Sequence, residues 1–124
     1  MKEDIVSYFK GLQNSICKGL EQLDGSEGVH SGKAKFTEDI WQREGGGGGI
    51  SRVIQNGSVI EKGGVNFSEV FGDAPDFLSK EPKTFFASGV SIVVHPRSPM
   101  VPIIHMNVCN VRLTPPLKDG VRPL

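Results

Sequence analysis

Cysteine is nearly absent: Cys17 and Cys109 are the two in 124 residues, and they lie far apart. Such a pair is neither a disulfide framework nor a zinc-ligand pattern, and it points to a reducing, cytoplasmic setting. Net charge is absent too, with 14 Lys and Arg balancing 14 Asp and Glu. Without a basic field, nucleic acid has no electrostatic handle, and a nucleic-acid-binding role is excluded. No apolar run approaches the ~20 residues of a membrane-spanning helix, so no membrane span is expected. The N-terminal stretch MKEDIVSYFKGLQ mixes both charge signs and lacks an apolar h-region, so no secretory signal is expected either. No internal repeat is visible.

What remains is one domain's worth of chain, with 37% hydrophobic and 23% charged residues, which is a globular composition. Residues 3–23 predict an amphipathic helix, because Ile5, Phe9, Leu12, Ile16, Leu20 and Leu23 recur at three- and four-residue spacing. Gly25 is the expected stop. Residues 24–33 read as a loop containing a solvated His30, and 34–42, with the only Trp, are ambiguous. After five glycines, Gly45 to Gly49, the pattern turns to β. ISRVIQ, then Asn56-Gly57, then SVIEKGGVNF predicts a hairpin closed by a two-residue type I′ turn. Residues 72–83 read as a surface excursion, and strands are expected near 85–95 and 101–109. The final VRLTPPLKDGVRPL lacks periodicity and reads as an irregular tail, which leaves an unpaired sheet edge. The fold class is therefore α+β: an N-terminal helix, then an antiparallel sheet.

Within the last strand pair, period two places Ser91, Val93 and His95 on one face of the first strand. His105, Asn107 and Cys109 share one face of the second. Ile92, Val94, Ile104, Met106 and Val108 fall on the opposite side. This is the pattern of a buried face and a working face. Histidine there supplies a proton near neutral pH or a metal ligand, though two ligands do not define a metal site. Arg52 and Arg97 are candidate bidentate clamps for a carboxylate. Prolines 96, 99 and 102 stiffen the turn between the strands. The glycine run is not a GxGxxG opening a helix. It reads either as a linker or as backbone that another group approaches closely.

The blocks FTEDIWQREGGGGGISRVIQNGSVIEKGGVNFSEVFG and FFASGVSIVVHPRSPMVPIIHMNV resemble the oxygen-dependent coproporphyrinogen III oxidases, over roughly residues 5–108. The resemblance implies oxidative decarboxylation of two propionates of coproporphyrinogen III to vinyl groups, giving protoporphyrinogen IX in haem biosynthesis. It implies oxygen as co-substrate, no organic cofactor, and a divalent metal such as Mn²⁺ in bacterial-type members. It also implies a large antiparallel sheet flanked by helices, and a cytoplasmic homodimer. By position, Ser91 matches the family's substrate-contacting serine. His95 and His105 match metal-assigned histidines, and His105 also the proton donor. Asn107 and Val108 open the substrate-binding Asn-Val-Arg triplet.

Position 109, where the family has arginine, is Cys109, so one carboxylate partner is missing. Family chains are longer, and residues 109–124 read as a non-family tail on a single truncated domain, 1–124. A frameshift or truncation is the expected origin. The expectation is an N-terminal part of the oxidase, incomplete on its own. The alternative is a non-catalytic tetrapyrrole- or anion-binding module.

Overall fold

The computed structural model describes residues 2–26, 34–73 and 83–114. One helix, α1 (Lys2–Ser26), precedes five strands: β1 (Thr37–Gln42), β2 (Gly47–Gln55), β3 (Ile60–Asp73), β4 (Thr84–Pro96) and β5 (Ile104–Thr114). The strands form one antiparallel meander in the order β1-β2-β3-β4-β5. The α+β expectation holds. His30 and residues 74–82 lie outside the described residues.

The helix runs through Gly25 to Ser26 and packs on β3 and β4. Its buried line is Phe9, Gln13, Cys17 and Asp24, whereas Leu23, expected inside, is 53% exposed. Two polar side chains hold central positions because the sheet supplies partners. Gln13 Nε2 donates to the carbonyls of Ile50 and Val65, at 2.8 and 2.9 Å. The facing sheet layer contributes Ile54, Ile60, Val65, Phe67, Val90, Ile92 and Val94 to one core. Each such side chain stabilises by roughly 1.5–3 kcal/mol when fully buried.

A single helix, about 10 Å across, spans about two strands at ~4.8 Å spacing. The helix side of β5 is therefore left open, with Ile104, Met106 and Val108 at 53%, 50% and 43% exposure. The other face of the sheet carries no helix among the described residues.

The β2–β3 hairpin forms, but its turn differs from expectation. Asn56 is left-handed at φ 60°, while Gly57 is not among the positive-φ residues. Asn56 N–H donates to the Glu61 carbonyl and Gly57 N–H to that of Ile60, both at 2.9 Å, so the connection is longer than two residues. The cause is tertiary. The Asp24 carboxylate enters the loop and accepts N–H bonds from Ser58, Val59 and Ile60. Gly57 lets it in, since a Cβ there would collide with that carboxylate.

The ambiguous stretch after residue 34 becomes β1, and the glycine run forms the β1–β2 turn and, from Gly47, the start of β2 rather than a linker. Gly47, at φ 90°, sits where a Cβ would strike the Glu69 carbonyl. The strand expected to end near 109 continues to Thr114, into the stretch expected to be irregular, because the pairing with β4 runs on from Gly89–Cys109 to Thr84–Thr114.

Candidate functional site

The sheet face away from α1 is the candidate site. In an antiparallel ladder, directly opposed residues share a face. Ser91 opposes Asn107, Val93 opposes His105, and Gly89 opposes Cys109. The polar grouping expected of this strand pair is therefore assembled by the register. His95, two residues beyond Val93, lies diagonal to His105, a separation of roughly 7–8 Å between strand positions. Both imidazoles are exposed, as is Asn107, while Ser91 is half-buried. Cys109 is exposed and leans over Gly89, where a Cβ would come within 2.9 Å of the cysteine Cβ.

Three other candidates are placed elsewhere. Val108 opposes Val90 on the helix side, so only its backbone borders the open face. Arg52 opposes Val65, also on the helix side. Its Nε and Nη2 each donate to Glu38 Oε2 at 2.9 Å, and Nη1 donates to Asn14. Burial works against the guanidinium charge, but the hydrogen bonds and charges of Glu38 and Cys17 together outweigh it and hold the Arg52 pKa above its ordinary value. Arg97 braces the hairpin loop: its Nε donates to the Gly57 carbonyl and its N–H to that of Val59, both at 2.8 Å. Neither arginine joins Ser91 and Asn107.

The register also brings in residues that sequence reading did not single out. Ser51 opposes Asn66, and Asn66 opposes Ser91. Ser68 opposes Gly89 on the same face. The indole of Trp41 lies against Gly49, where a Cβ would collide with the ring. Alternation within VNFSEV puts Asn66 and Ser68 on one side; strand pairing alone says which side that is.

A sequence model of the family described as Coproporphyrinogen III oxidase matches residues 4–121. The chain belongs to the coproporphyrinogen III oxidase family. It is 51% identical over 102 residues to an "Oxygen-dependent coproporphyrinogen-III oxidase" of Prochlorococcus marinus subsp. pastoris, covering 77% of this chain and 28% of that one. The protein of the same description from Prochlorococcus marinus strain SARG is 47% identical over 109 residues, 83% of this chain and 30% of that one. This oxidase-family chain thus spans about three tenths of the length of the curated relatives it matches.

No group of three or more His, Cys, Asp or Glu gathers among the described residues. Two imidazoles fall short of the three protein ligands a catalytic divalent site uses. A metal at His95 and His105 would need ligands from outside the described residues. No helix among them is long and apolar enough to cross a membrane.

Proposed function

We propose that this chain forms the N-terminal sheet of an oxygen-dependent coproporphyrinogen III oxidase, with the helix-free face holding the substrate. The observation that carries the reading is the convergence of Ser91, His105 and Asn107 on one uncovered face of a chain that belongs to this family. Each propionate would lose carbon dioxide and two electrons, becoming a vinyl group. Dioxygen takes the two electrons and two protons, one from the substrate and one from solution, and leaves as hydrogen peroxide. Ser91 and Asn107 would orient the tetrapyrrole, and His105 would deliver a proton on that face. An electron-rich reduced tetrapyrrole reacting with oxygen needs no organic cofactor. The cytoplasmic setting and the homodimer are read as properties of the longer protein.

This chain alone is expected to bind without turnover. Cys109 removes the family's arginine, and about seven tenths of the relatives' length has no counterpart here. Aerobic incubation of the purified chain with coproporphyrinogen III, followed by protoporphyrin fluorescence, tests this. A Prochlorococcus relative run in parallel should give product while this chain gives none. Product above the uncatalysed background would overturn the incompleteness. Cys109 also favours a second reading, a non-catalytic tetrapyrrole-binding module. That reading requires no product even when a relative's remaining segment is supplied in trans.

A further inference from the structure

The open face carries a polar line longer than the contacts already described. The register opposes Asp39 to Ser51, Ser51 to Asn66, Asn66 to Ser91 and Ser91 to Asn107. All five side chains project from the same face, because each pair is directly opposed. At ~4.8 Å per strand the line runs about 19 Å across the sheet. Asn66 is at its centre, half-buried, and its carboxamide makes no side-chain hydrogen bond among the described residues.

Next to Asn66 itself the flanking positions are small, with Val53, Val93 and Trp41 further out. Gly64 lies beside Asn66 on one side and Ser68 on the other. Gly49 and Gly89 occupy the corresponding places on β2 and β4. A Cβ at Gly64 would meet Val93 at 3.7 Å, an ordinary contact without a clash, so the backbone floor there is low. A planar or gently puckered ring can approach such a floor closely.

Charge decides which part of a tetrapyrrole the line meets. Its members are two hydroxyls, two carboxamides and the carboxylate of Asp39; it contains no cation. Arg52 is tied to Glu38 on the far face, and Arg97 is tied to the hairpin loop. Carboxylates are best met by cationic forks. Pyrrole N–H groups are donors and need neutral or anionic acceptors. A line that offers acceptor oxygens and holds no cation suits the ring interior, while Lys62, opposed to His95 on the same face, lies off the line on the side of the acidic arms.

We propose that Asn66, supported by Ser51, is a substrate-binding residue whose carboxamide oxygen accepts hydrogen bonds from the pyrrole N–H groups of the porphyrinogen. The macrocycle then lies across β3 and β4, centred between Asn66 and Ser91, with its carboxylates directed off the line. This rests on the proposed function and adds to it the residue that orients the ring.

The test is an anaerobic titration of the 124-residue chain with coproporphyrinogen III, read by quenching of Trp41, the only tryptophan, on the same face. Asn66→Leu should raise Kd about fivefold, the equivalent of one ordinary hydrogen bond. Asn66→Asp keeps an acceptor oxygen and removes the donor, and should stay within about threefold of the parent. Coproporphyrin III, the oxidised ring with half the N–H donors, should show a smaller Asn66→Leu effect. Matching circular dichroism spectra confirm that the variants fold alike. If Asn66→Asp weakens binding as much as Asn66→Leu, the residue serves the carboxylates and the assignment is overturned. If Asn66→Leu binds as tightly as the parent, the Asn66 proposal alone falls. If the parent chain does not bind the porphyrinogen at all, the functional reading falls with it.

Discussion

Asp24 offers the sharpest test of how the helix is fastened to the sheet. It is 1% exposed at the C-terminal end of α1, where the helix dipole disfavours an anion. What holds it there is the hairpin loop. Oδ1 accepts the N–H groups of Val59 and Ile60 at 2.9 and 2.8 Å, and Oδ2 accepts that of Ser58 at 3.2 Å. Burial pushes its pKa up, but the three backbone bonds, with Arg97 nearby, outweigh burial and leave it below the ordinary carboxylate value. Asp24→Ala strands three amide donors, each costing about 1–3 kcal/mol if water does not reach it. Loop relaxation will hydrate part of this, so a loss of about 3 kcal/mol is expected, a large share of a typical 5–15 kcal/mol. Asp24→Asn keeps one acceptor and turns an NH₂ towards a donor, for a loss of about 1–2 kcal/mol.

The pH dependence has a fixed sign. A carboxylate whose folded pKa is depressed contributes stability above its unfolded value, near 3.8, and loses it as pH falls through the folded pKa. The gap between parent and Asp24→Asn should therefore be full at neutral pH and shrink on acidification below about 4. Urea unfolding followed by circular dichroism and Trp41 fluorescence measures both effects. A loss under about 0.5 kcal/mol for Asp24→Ala, or a gap independent of pH, would refute the reasoning.

Three further outcomes are expected. Arg52→Met removes a partly exposed ion pair and should cost about 1 kcal/mol in urea unfolding, yet leave tetrapyrrole affinity unchanged, because Arg52 lies on the helix side. Gly49→Ala drives a Cβ into the Phe67 carbonyl and the Trp41 ring; a loss of about 2–3 kcal/mol and a red-shifted Trp41 emission are expected. Ellman's reagent should find one fast thiol, the exposed Cys109. Cys17 should react only on unfolding, since burial raises its pKa more than the neighbouring Arg52 lowers it. Two fast equivalents would mean that α1 is not held against the sheet.

Local periodicities determined much of this protein. The helix, the hairpin, the last strand pair and the shared face of Ser91, His105 and Asn107 follow from periods of 3.6 and 2, which any short window reveals. The long oxidase-like blocks carried the family assignment for the same reason: they are contiguous. What the sequence could not settle depends on partners distant in the chain. Whether Asn56-Gly57 forms a two-residue turn was decided by Asp24, a helix residue that occupies the loop. Arg52 faces the helix, where Asn14 meets it, and Leu23 is exposed because α1 packs chiefly on β3 and β4. Val111 to Thr114 extend a strand because β4 offers them a ladder, although their own composition suggests a tail. The line from Asp39 to Asn107 exists only once five strands are in register, since each strand alone specifies an alternation but not its neighbour.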